Sequence, residues 1–232
     1  MKFLTMEILE NYKLGKQSDS WQNGLAKTIT FIVTEDCQLR CKYCYIVGKN
    51  KFNKMTFDVA QQSIDFIFNN KSTFNDKAVI WDFIGGEPFI EIELINKICD
   101  YIKIRMYELN HPWFENYRFS FSTNGILYSD ERIQHFIEKN KTHLSIGITL
   151  DGTKKKHDLQ RVYPNGKGSY DDVVKNIPLW LSQFRDLHTK VTVASEDLPL
   201  IYGNYSGSFL RKKCVSQEFL FSSWTRSPWS GR

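Results

Sequence analysis

The sequence predicts an α/β fold built on a parallel sheet, and three observations point there. Short β-rich runs alternate with longer stretches of helical period between Thr28 and Ser195, the runs are apolar along most of their length, and the chain carries enough apolar mass for a core. Of 232 residues, 41% are apolar and 15% aromatic, a profile that excludes a disordered chain or a fibre. About five strand-helix units are visible. That number fits an open doubly wound sheet or part of a β/α barrel, and periodicity does not separate the two.

The candidate strands are Thr28 to Val33, Ala78 to Ile84, Arg118 to Ser122, Leu144 to Leu150 and Lys190 to Ala194. In the first intervening helix Phe57, Ala60, Ile64 and Ile67 recur at intervals of three and four, and in the second Leu94, Ile95, Ile98, Cys99 and Ile102 do the same. Ser129 followed by Asp130 and Glu131 reads as a helix start, a capping hydroxyl with acids near the positive end of the dipole. A fourth helix runs from about Tyr170 to Leu187, and Pro178 inside it kinks or splits it. Ser195-Glu196-Asp197 opens another helix that soon stops. From Tyr202 on, glycines and serines replace any apolar period, which fits a flexible C-terminus or a chain whose natural C-terminal part is lost or replaced. Residues 1–202 are thus expected to form one core domain and 203–232 an irregular, basic, serine-rich tail.

The net charge is +5, but +4 of it falls between Gly203 and Arg232, so global charge gives little reason to invoke nucleic acid. No apolar run approaches the roughly 20 residues of a membrane span, and Glu7 and Glu10 interrupt the place of a secretory signal. A cytoplasmic protein without nucleic-acid or membrane partners is expected.

The five cysteines are an odd number, with Cys37, Cys41 and Cys44 packed into eight positions just after the first strand. Neighbours this close point to a metal and not to a disulfide framework. A [4Fe-4S] cluster normally takes four cysteines, so three on one loop leave one iron open to a small ligand. A zinc site usually wants a second pair, and here Cys99 lies on the apolar stripe of its helix while Cys214 lies alone in the tail. Arg40 and Lys42 flank the three thiols, and their charge favours thiolates.

With the aromatic Tyr43 before its last cysteine, the spacing CxxxCxxC resembles that of the radical S-adenosylmethionine (SAM) enzymes. Gly85-Gly86-Glu87-Pro88 at the end of the second strand, Ser122-Thr123-Asn124-Gly125 at the third and Thr149-Leu150-Asp151-Gly152 at the fourth resemble that family's motifs in order and position. The resemblance covers roughly residues 25 to 200 and implies a partial, TIM-like β/α barrel. It implies a [4Fe-4S] cluster on Cys37, Cys41 and Cys44, with SAM bound to the open iron and cleaved by one electron to a 5'-deoxyadenosyl radical. Gly85, Gly86 and Glu87 would hold the amino group of SAM, the glycines letting the strand end approach it closely. Tyr43 would meet the adenine, Asn124 and Thr149 the ribose hydroxyls, and Arg161 the methionyl carboxylate. No residue is singled out as acting on the substrate.

His157-Asp158, Arg161 and Gly166-Lys167-Gly168-Ser169-Tyr170-Asp171 resemble the stretch found in peptide- and protein-modifying members such as anaerobic sulfatase maturases, so a peptide or protein substrate and an external low-potential electron donor are implied. Those relatives commonly carry auxiliary clusters in a cysteine-rich C-terminal extension, and here a single cysteine follows Ser195. Two further readings stand beside this one: a radical SAM enzyme acting on a small molecule or generating a glycyl radical in a partner, and a noncatalytic iron-sulfur or zinc protein. The run Lys154-Lys155-Lys156-His157 reads as a solvated loop, suited to touch an acidic stretch of a peptide.

Overall fold

Four parallel strands lie side by side in the order in which the chain makes them: β1 (Ala26–Thr34), β2 (Ala78–Gly85), β3 (Tyr117–Thr123) and β4 (Leu144–Ile148). The structure, a computed structural model, describes residues 26–46 and 53–184. The predicted strand at Lys190, the helix after Ser195, the tail and Cys214 lie outside them. Parallel neighbours need a crossover, and the three are supplied by α1 (Phe57–Asn69), α2 (Ile92–Glu108) and α3 (Glu131–Asn140). A doubly wound sheet reverses its strand order at a switch point, whereas a barrel continues around without reversal. The observed succession is that of a partial β/α barrel.

The strands differ from the expected near-continuous apolar runs by alternating. Val79, Trp81 and Phe83 of β2, Phe119 and Phe121 of β3, and Leu144, Ile146 and Ile148 of β4 are buried beneath the helices. The opposite face carries Thr30, Asp82, Ser120 and Ser145 in one row across all four strands. On the helix side Phe31, Phe83 and Phe121 occupy one register row and stack face to face, with ring centroids 5.7 and 5.2 Å apart. This aromatic row sets the strand ends level. Just above it the register of β1 shifts between Ile32 and Thr34, a bulge that turns the chain into the cysteine loop.

The helices follow their sequence signals closely. Ala60, Ile64, Ile67 and Phe68 form the buried stripe of α1, which Thr56 caps by accepting from the Val59 N–H. Ile92, Ile95, Ile98, Cys99, Ile102 and Met106 form that of α2, and burial pushes the Cys99 thiol well up. The cap of α3 is Asp130 and not Ser129: its carboxylate accepts from the Arg132 N–H at 2.9 Å. The predicted fourth helix is split, as Pro178 requires, into α5 (Tyr170–Val174) and α6 (Ile177–Gln183), with the proline in the first turn of α6, where its missing N–H costs nothing. Between β4 and α5 lies α4 (Lys154–Gln160). None of the described helices is long and apolar enough to cross a membrane.

Phe83→Ala removes the middle ring of the aromatic row and should destabilise the domain by about 3–5 kcal/mol, read as a lowered urea midpoint with an unchanged slope.

Candidate functional site

The three sequence motifs meet at the strand ends because the chain is folded to press them together. The two glycines at the end of β2 do this first. A Cβ on Gly86 would lie 2.0 Å from the Asp36 carbonyl oxygen, and one on Gly85 would lie 2.3 Å from that of Thr34. The close approach they permit in this structure is to the lead-in of the cysteine loop. Backbone bonds fix the contact: Gly86 N–H to Thr34 O at 2.7 Å and Glu87 N–H to Asp36 O at 2.8 Å.

Glu87 locks the next strand to the same point. It is 1% exposed, and its carboxylate accepts from the Thr123 hydroxyl at 2.6 Å, the Asn124 N–H at 2.8 Å and the Phe89 N–H at 3.2 Å. Burial pushes its pKa up, while those three donors and the Arg161 charge pull it back. Asn124 is also turned inward: Oδ1 accepts from the Ile126 N–H at 2.9 Å, and Nδ2 faces Gln38 Oε1 at 3.3 Å and Cys37 Sγ at 3.8 Å.

The cysteine loop has its own supports. Cys37 is buried and its amide donates to Asp36 Oδ1, while its sulfur faces the Leu39 N–H at 3.4 Å. Arg40 spends its guanidinium on the carbonyls of Cys37 and Leu39, at 2.5 and 3.0 Å. Two bonds then tie the loop to the far side of the site, Arg40 N–H to Val162 O and Lys42 N–H to Gln160 O, at 2.6 and 2.9 Å. Cys37, Cys41 and Cys44 are thiols and not disulfides. Among the described residues no three thiol, imidazole or carboxylate groups converge on a single point.

Between those two bonds sits Arg161. It is 7% exposed, its Nη1 donates to the Tyr43 hydroxyl at 2.5 Å, and that hydroxyl donates to Asp151 Oδ2 at 2.5 Å. Burial works against the guanidinium charge, yet Tyr43, Cys41 and Asp151 more than offset it and its pKa lies above the ordinary value. Burial pushes the Tyr43 phenol up as well. Arg161 Nε is buried and meets no acceptor among the described residues. Thr149, half-buried just past β4, is held by its N–H on Thr123 O at 2.9 Å.

The residues behind Arg161 were motif letters without roles in the sequence, and the structure gives them one. The Asp151 N–H donates to His157 Nδ1, His157 Nε2 faces Ser169 Oγ at 3.0 Å, and Ser169 Oγ donates to Arg161 O at 2.9 Å. An acceptor at Nδ1 makes Nε2 the protonated nitrogen, so the chain of bonds needs a neutral ring. Burial and the Arg161 charge lower the His157 pKa to about 4. Asp158 accepts from the Tyr170 N–H, and its side chain occupies the space a Cβ on Gly168 would fill. The lysine run is a helix and not a loop, with Lys154 and Lys155 solvated as expected. It forms α4, with Lys156 and His157 buried and Lys154 paired with Asp158 and Asp171.

Residues 31–194 match the Radical SAM superfamily. The chain belongs to that superfamily. It is 30% identical to an uncharacterised protein of Methanocaldococcus jannaschii over 75% of its own length and 56% of that protein's. It is 28% identical to the cysteine-type anaerobic sulfatase-maturating enzyme of Clostridium novyi over 71% of this chain and 42% of that enzyme. Native anSMEcpe with bound AdoMet and Kp18Cys peptide shares the fold, with a TM-score of 0.61 at 22% identity over 73% of this chain and 44% of that one. The chain thus spans about half the length of these relatives.

Radical SAM enzymes use a [4Fe-4S] cluster and SAM. The residues present fit that pair: three thiols share one braced loop, and Arg161 Nε and Gln38 Nε2 are buried donors that meet no acceptor among the described residues. Gln38, Thr123, Asp151, His157 and Ser169 were not marked as site residues by the sequence. Gln38 lay unmarked between two of the cysteines.

Two outcomes test this geometry. Gly86→Ala forces Asp36 away, so alkylation of Cys37 in the metal-free protein should rise roughly tenfold, equivalent to about 1.4 kcal/mol of easier opening, as measured by peptide mapping. Below its unfolded pKa of about 6.5, His157 takes up a proton only on unfolding, so stability should fall as pH drops from about 6.5 to about 4. His157→Gln should flatten that part of the pH-stability curve.

Proposed function

We propose that Cys37, Cys41 and Cys44 ligate a [4Fe-4S] cluster, that SAM binds beside it, and that the protein modifies a peptide or protein substrate. The observation that carries this reading is a buried, charged Arg161, pinned against the cysteine loop with one donor lacking an acceptor. When bound, the cluster and SAM supply one-electron carbon-sulfur cleavage and hydrogen abstraction from the substrate.

The chain's own residues divide the remaining work. Arg161 offers Nε to the carboxylate of SAM, its charge secured by Tyr43 and Asp151. Tyr43 presents its ring from a side chain fixed at the hydroxyl, and Thr149 keeps a hydroxyl at the β4 end for the ribose. Gly85, Gly86 and Glu87 hold the amino-group side of the site in place by bracing the loop, and Asn124 does the same from β3. Peptide substrates are supported by the names of the relatives, one a sulfatase-maturating enzyme and one bearing a bound peptide. The polar row on the inner sheet face gives such a substrate hydrogen-bonding partners. An external donor of low potential delivers the electron, in a cytoplasmic setting where thiols stay reduced.

After anaerobic reconstitution the protein should hold roughly four irons per chain and, with dithionite, release 5'-deoxyadenosine from SAM. Cys41→Ala should abolish both. A single zinc ion and intact SAM would overturn the reading, and a mass change in a small molecule but in no peptide would overturn the substrate class.

A further inference from the structure

The geometry points to Gln38 as a hydrogen-bond donor to sulfur of the cluster, a role that rests on Cys37, Cys41 and Cys44 being its ligands. Asn124 fixes the orientation of the Gln38 amide. Its Oδ1 accepts from the Ile126 N–H, which leaves Nδ2 as the arm turned toward the loop. A donor on that side obliges Gln38 to answer with an acceptor, and Oε1 lies 3.3 Å away. The two ends of the Gln38 amide are thereby assigned, and its Nε2 is the arm directed away from Asn124.

Gln38 Nε2 is buried and meets no acceptor among the described residues. An amide donor in that state calls for an acceptor that comes with whatever fills the site. A cluster on the neighbouring cysteines would bring sulfur as that acceptor. Gln38 follows Cys37 in the chain, the same Asn124 Nδ2 that binds Gln38 stands 3.8 Å from Cys37 Sγ, and the Leu39 N–H faces that sulfur at 3.4 Å. With the cluster bound, Gln38 would add a third donor to the two N–H groups that face Cys37 sulfur. Hydrogen bonds to cluster sulfurs favour the more electron-rich state, so this donor raises the reduction potential.

The test uses the reconstituted full chain and its potential in the absence of SAM. Gln38→Met keeps length and loses the donor, and it should retain wild-type iron content while its midpoint potential moves to more negative values. Gln38→Asn restores an amide and should return the potential toward wild type. An unchanged potential in Gln38→Met overturns the inference, and if SAM then binds several-fold more weakly the amide serves the nucleoside instead. Loss of iron in both variants also overturns it, because Gln38 then serves the folding of the loop. Failure of the ligand reading shows separately, as wild-type protein without iron.

Discussion

A single buried carboxylate holds the functional end of this molecule together. Glu87 stands two residues past β2, accepts from the end of β3 through Thr123 and Asn124, and through its own backbone N–H fastens the lead-in of the cysteine loop. Charge of this kind is tolerated in an interior only where donors surround it, and Glu87 has three. Two strand ends and the cysteine loop thereby share one anchor. The two glycines before it matter for the same reason, because any side chain there would lift the loop off the sheet.

The far side of the site is held by a different device, a relay of side chains behind Arg161. Asp151, His157 and Ser169 are fully buried, and their bonds run from the turn after β4, through α4, to the Arg161 carbonyl. Arg161 is thus fixed at its backbone by Ser169 and at its guanidinium by Tyr43, whose phenol is anchored in turn by Asp151. A guanidinium fixed at both ends loses little freedom on meeting an anion.

Much of this was legible in the sequence. Strand-helix alternation gave four of the strands nearly to the residue, and the stripes of α1 and α2 followed from spacing alone. Pro178 marked the break between α5 and α6. The motifs at strand ends were placed because Gly-Gly-Glu and Ser-Thr-Asn-Gly fall at the ends of β2 and β3 in the order of the family's motifs. What sequence could not give was direction. Glycines signal that something comes close, and only the fold shows that Thr34 and Asp36 do. Asn124 signals a polar strand end, and only the fold turns its amide toward Cys37. Lys154 to His157 read as a solvated loop because charge says nothing of partners: Asp158 meets Lys154 only once α4 forms, and Asp171 only when α4 and α5 pack.

The two backbone bonds from the cysteine loop to Gln160 and Val162 join the earliest described part of the chain to one of the latest. Such distant pairing forms only after the intervening strands have docked. During biosynthesis the thiols would therefore wait, unshaped and open to oxidants, until α4 has emerged and closed over them.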